Sequence, residues 1–110
     1  SPTTSAINKD AVIAQMGTWD ESIIEMLKMF PDMAQSSVDS INKAAEDANT
    51  HDLAEAAHSL KGAAHSAGAS ILGDSAGKLQ TAAETNQQFK DIVKSVNEEF
   101  KRVKKEIQTL

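Results

Sequence analysis

Apolar residues recur along this chain at alternating spacings of three and four, the mark of helices that each bury one face. Asn8 to Met16 predicts a short first helix, stopped at Gly17. Thr18-Trp19-Asp20-Glu21 has the form of a capping box, in which the Thr18 side chain accepts the Glu21 amide and Glu21 reaches back. Ile23, Leu27 and Phe30 then share a stripe, and Pro31 is expected to end that helix and open the next. From Asp32 to about Ala48 the inward positions are Ala34, Val38, Ile41, Ala45 and Ala48.

Asp47-Ala48-Asn49-Thr50 reads as a short turn, with Asn49 or Thr50 capping the following helix. That helix turns Leu53, Ala57, Leu60, Ala64 and Ala67 inward, and Gly68 and Gly73 bracket its exit. Asp74 or Ser75 can cap a further helix whose inner face is Leu72, Ala76, Leu79 and Ala83. After Asn86-Gln87-Gln88, the last helix carries Phe89, Val93, Val96, Phe100, Val103, Ile107 and Leu110 on its stripe. Helices joined by short connections favour antiparallel neighbours. The expected fold is all-α: an up-down four-helix bundle with one or two additional short helices. It should occupy residues 8–110, with 1–7 a linker or cloning remnant.

Composition narrows the function more than the fold. The 110 residues suffice for one domain and one core. A net charge of −5 argues against nucleic acid as partner, because neutralising phosphates needs a basic face. The one dense basic run, Lys101-Arg102 with Lys104-Lys105, falls where cations complement a helix C-terminus. The chain has no cysteine, so neither a disulfide nor a Cys-ligated metal is available. No apolar stretch approaches the roughly 18 residues of a membrane span, so no membrane contact by this domain is expected. There is also no Gly-rich G-x-x-x-x-G-K-[ST] phosphate loop, hence no expected ATP site.

One segment asks for a chemical explanation: Ala57-His58-Ser59-Leu60-Lys61-Gly62. At 3.6 residues per turn His58 lies about 140° from the centre of the apolar stripe, facing away from the core. Lys61 and Gly62 follow three and four residues later, one turn along the same surface. A neutral imidazole is a nucleophile near neutral pH, and an ammonium beside it can neutralise a phosphoryl group. Gly62 gives clearance for a modified ring or a partner. A packing reason is the alternative, since a helical Gly costs about 0.5–1 kcal/mol relative to Ala.

The run from His58 to Ala69, His-Ser-Leu-Lys-Gly-Ala-Ala-His-Ser-Ala-Gly-Ala, closely resembles the histidine phosphotransfer (Hpt) motif, His-x-Leu-Lys-Gly followed by Gly-Ala. The resemblance covers residues 8–108 and implies a helical bundle that carries a phosphoryl group rather than a self-sufficient enzyme. By that likeness His58 accepts the group from a receiver-domain aspartyl-phosphate of a response regulator and passes it to another receiver's Asp. Lys61 would bind the phosphoryl group, Gly62 supply clearance, and Gln80, from the neighbouring helix, orient the ring. His65, Ala54 and Ala69 are candidate docking positions. The chain would need no cofactor of its own, with Mg²⁺ expected in the receiver. A monomer in the cytoplasm, free or as part of a hybrid histidine kinase, is expected. Two other readings stay open: the phosphoacceptor domain of a chemotaxis-type kinase, and a receiver-binding scaffold that carries no phosphate.

His51, His58 and His65 stand at intervals of seven, nearly in a column. Steps of two turns, roughly 10 Å, are too long for ligands that sit about 2.0–2.1 Å from one metal, so none is expected there. His65 should share the exposed face with His58. Trp19, Met26, Met29, Phe30 and Met33 cluster near Pro31 as expected packing, with an apolar rim for receiver docking as the lesser alternative.

Overall fold

Polar caps and a single proline decide where the helices begin and end. The computed structural model describes residues 5–110, and among them the chain forms five helices and no strand. The first, α1, spans Lys9–Met16; the Asn8 side chain accepts the Ala11 amide, and Gly17 closes it at φ +80°. That left-handed turn carries a steric cost for residues with a Cβ and none for glycine.

The second helix, α2, spans Glu21–Glu46, and its cap is Asp20 rather than Thr18. The Asp20 carboxylate accepts the Ser22 hydroxyl at 2.7 Å and the Ile23 amide at 3.1 Å. A carboxylate here adds attraction to the helix N-terminus, which a threonine hydroxyl lacks. The helix also runs through Pro31, where the pattern predicts a break. An interior proline costs about 3 kcal/mol or more. Against this, Leu27, Phe30, Ala34, Val38, Ile41 and Ala44 form one uninterrupted stripe, none more than 5% exposed. Burying each of the four larger side chains is worth about 1.5–3 kcal/mol, so continuity of the stripe wins. It passes through Ala44. Ala45 is only half-buried, and Ala48 is exposed beyond the helix at φ +53°.

The Asn49 side chain accepts the Asp52 amide at 3.1 Å and starts α3, Thr50–Ser66. Leu53, Ala57, Leu60 and Ala64 are each fully buried along it. The helix turns at Gly68, φ +76°, where an added Cβ would lie 2.4 Å from a Val12 methyl. Because the Asn8 amide also donates to the Gly68 carbonyl at 2.8 Å, α1 is fixed across this turn.

The fourth helix, α4, spans Ser70–Glu84 and begins earlier than an Asp74 or Ser75 cap predicts. It starts at Ala69 without a side-chain cap; the turn is satisfied by the backbone instead, Gly68 N to His65 O and Ala69 N to Ala64 O. Gly73 is therefore inside a helix, not at its edge. The last helix, α5, spans Lys90–Gln108 and buries Val96, Phe100, Val103 and Ile107. α3 packs on α2 and α4, and α5 on α4 and α2, which closes a four-helix bundle with α1 across one end. A reciprocal amide pair, Asn42 with Asn97 at 3.0 and 2.8 Å, joins α2 to α5.

The body of the domain starts before residue 8. Ala6 and Ile7 are 0% and 3% exposed, and their amides donate to the Glu106 carboxylate at 2.7 and 3.1 Å. The Ser5 hydroxyl donates to the same group. Residues 5–7 are thus part of the fold rather than a linker, and the rest of the expected linker, 1–4, lies outside the described residues. Partial burial pushes the Glu106 carboxyl up, but the Ser5, Ile7 and Ala6 hydrogen bonds, helped by Arg102, outweigh it and hold it below the usual carboxylate value. A depressed carboxylate stabilises the fold above its unfolded pKa and loses that contribution as pH falls through the folded one. Glu106→Gln is expected to cost about 1–2 kcal/mol at neutral pH in urea denaturation. The gap to the unmodified protein should close under acid as Glu106 protonates.

Candidate functional site

The outer ridge of α3 and the adjoining face of α4 carry His58, Lys61, Gly62 and Gln80. His58 is exposed on α3, and its Nδ1 lies 3.2 Å from Oε1 of Gln80 on α4. Gln80 in turn donates through Nε2 to Oε2 of Glu84 at 3.3 Å, one helical turn farther along α4. With Nδ1 engaged inward, Nε2 is the ring nitrogen left for chemistry. Ala54, half-buried, lines a shallow groove beside the ring together with Thr50, Ala83 and Glu84.

Lys61 leans across to α4 and lies along Gly77, where an added Cβ would be 3.5 Å from the lysine Cδ. Among the described residues its ammonium has no hydrogen bond or ion pair. An uncommitted cation one turn from an exposed imidazole is available to an incoming anion. Gly62 is exposed, and a Cβ built on it meets nothing within 4 Å. Neither packing nor a left-handed backbone accounts for this glycine, so the packing alternative falls away.

His65 is drawn into the fold. Its ring covers Gly73 so closely that a Cβ there would fall 2.2 Å from the imidazole, and Nε2 lies 3.2 Å from Oδ1 of Asp74. Its carbonyl also accepts from Gln15 of α1 at 3.0 Å. The ring is half-buried against α4 instead of standing freely on the face of His58. Ala69 is 0% exposed at the start of α4, so it has no surface for a partner and leaves the docking set. His51 is exposed and pairs with Glu55 at 3.4 Å. The three histidines of the column thus engage three different partners.

Gly73, Gly77 and Gln80 form one track on α4, spaced by four and three, under His65, Lys61 and His58 in antiparallel order. Sequence reasoning found Gln80 only by family likeness and passed over Gly77 and Glu84. Their signals were a mid-helix glycine four residues from another and a carboxylate four residues after Gln80.

Beside α3 lies an apolar band. Met26, Met29 and Met33 of α2 are 40%, 60% and 70% exposed, whereas Phe30 is buried and Trp19 half-buried beneath Lys9. Ser37 marks the edge of α2 that meets α3, its hydroxyl 3.4 Å from that of Ser59. Met26 and Met33 stand within about 40° of Ser37 around an ideal helix, so the band borders the ridge that carries Gly62.

A family model described as Hpt domain matches residues 25–110. In fold the chain is similar to histidine-containing phosphotransfer protein B from Pseudomonas aeruginosa PAO1, known from a crystal structure. The TM-score is 0.84 over 97% of this chain and 95% of that one, at 17% identity, a likeness that shows the fold alone. A comparison with curated proteins found no match. Because Gly62 has open space around it, Gly62→Ala is expected to raise stability by about 0.5–1 kcal/mol. Thermal melting checks this; a loss of stability would mean that the glycine packs after all.

Proposed function

The chain belongs to the Hpt domain family, phosphocarrier modules of phosphorelay signalling, and from that premise we propose that His58 relays a phosphoryl group between two receiver domains. The observation that carries this reading is the state of the His58 ring: exposed, held at Nδ1 by Gln80, with Nε2 unengaged among the described residues and Lys61 and Gly62 one turn along the same helix.

The step balances without a proton leaving the ring. The Nε2 lone pair attacks the phosphorus of a receiver aspartyl-phosphate; the N–P bond forms as the P–O bond to aspartate breaks, and the carboxylate leaves with the electron pair. The ring then carries positive charge with its proton on Nδ1, donated to the Gln80 carbonyl oxygen. Transfer to a second receiver's aspartate reverses these changes. The receiver supplies Mg²⁺ and most of the charge stabilisation, in keeping with phosphoryl transfer as positioning and electrostatics. This chain supplies a nucleophile of fixed orientation, a lysine for the phosphoryl oxygens and an unobstructed approach over Gly62.

The methionine band suits receiver docking, since flexible, polarizable side chains adapt to partners of differing shape. Among the described residues no helix is long and apolar enough to cross a membrane. We assign the relay to the cytoplasm, with response-regulator receivers, free or in a hybrid kinase, as the partners.

Incubation with a radiolabelled phospho-receiver should leave acid-labile, base-stable label on the protein and none on His58→Gln. Label persisting in that variant would remove His58 as acceptor, and binding without transfer would support the scaffold reading. Lys61→Ala should slow transfer roughly ten- to a hundredfold with unchanged melting, the loss of one charge-assisted contact. Unaltered rates would take Lys61 out of the mechanism. Gly62→Gln is expected to abolish transfer while the melting temperature stays level or rises.

A further inference from the structure

Gln80 can face His58 in two ways, and the two have opposite chemical consequences. Its carbonyl oxygen toward Nδ1 requires the ring proton on Nδ1 and leaves a lone pair on Nε2. Its NH₂ toward Nδ1 requires a lone pair there and puts the proton on Nε2, which blocks attack from the outward nitrogen. The His58–Gln80 contact alone does not choose, because the ring can change tautomer to suit either amide orientation.

Glu84 supplies the choice. A carboxylate only accepts hydrogen bonds, so the Gln80 NH₂ must turn to Glu84 Oε2, 3.3 Å away, and the carbonyl oxygen is left for Nδ1 at 3.2 Å. The position of Glu84 has no local justification. It ends α4, whose last turn holds no basic residue, and a negative charge at a helix C-terminus is unfavourable. Among the described residues it pairs with no cation; its one partner is the Gln80 amide.

We propose that Glu84 is a positioning residue that sets the His58 tautomer through Gln80, keeping Nε2 nucleophilic. The inference rests on His58 being the phosphoacceptor for its functional meaning, though not for the tautomer itself. Once Nε2 bears the phosphoryl group, the same chain of contacts accepts a hydrogen bond from the Nδ1–H of the cationic ring, with the Glu84 charge at its far end.

Two-bond ¹H–¹⁵N correlation on ¹⁵N-histidine protein reads the tautomer directly, without any phosphoryl donor. The unmodified protein should show His58 protonated at Nδ1. Glu84→Lys, which can only donate, should turn the Gln80 oxygen to itself and move the proton to Nε2. Transfer from a phospho-receiver should fall roughly tenfold, the fraction of rings in the wrong tautomer setting its size. Glu84→Gln, which can still accept, should restore much of both signals. In a Gln80→Ala background, Glu84→Lys should change neither readout; a change that persists there is a direct charge effect and overturns the relay. An Nδ1-protonated ring in Glu84→Lys overturns it as well. A tautomer shift in a protein that takes no label leaves the positioning role standing and sinks the carrier reading instead.

Discussion

The close antiparallel seam between α3 and α4 is the constraint on which this molecule depends. Along it, glycines at 73 and 77 remove the side chains that would hold the helices apart, and His65 and Lys61 lie down in the space. The same seam brings Gln80 under His58 at hydrogen-bond distance. Structure and the candidate site share a surface: the inner stripe of α3 closes the core, while its flank toward α4 orients the His58 ring. A bulky residue at 73 would displace His65 at once, and through the seam disturb the register that sets Gln80 against His58.

Most of the fold was legible in the sequence, because alternating spacings of three and four report burial directly. Leu53, Ala57, Leu60 and Ala64 on α3, and Leu72, Ala76, Leu79 and Ala83 on α4, are the inner faces the pattern names. What the pattern misplaced were the ends. At Pro31 a local rule, that proline breaks helices, lost to a stripe continuous on both sides. Before α4 the polar residues Asp74 and Ser75 looked like caps, but backbone bonds within the turn had already done that work. Ala6 and Ile7 resembled a tail because their partner, Glu106, is a hundred residues distant. Long-range pairing leaves no mark in a local window.

For the candidate site, the face on one helix was legible but the arrangement across two helices was not. His58, Lys61 and Gly62 follow from one helix and its period, so their common face could be computed. Gln80 and Glu84 belong to a second helix, and only the register between helices places them. For His65 periodicity gave the azimuth but not the rotamer: the ring folds back over Gly73, where absence of a side chain makes room for it. Ala69 shows the opposite error, a residue next to the candidate motif that the turn swallows whole.

The Glu106 clamp has a bearing on how the domain can be wired to others. It fastens residues 5–7 beside the C-terminal end of α5, the same end of the bundle that α1 covers. Anything joined ahead of residue 5 or after residue 110 would therefore depart from one pole. His58 sits about 13 Å along α3 from the turn at that pole, on the flank. Tethers of either kind would leave the broad side of the bundle clear, so a receiver could be fused to one end and another visit from solution without crossing the linker.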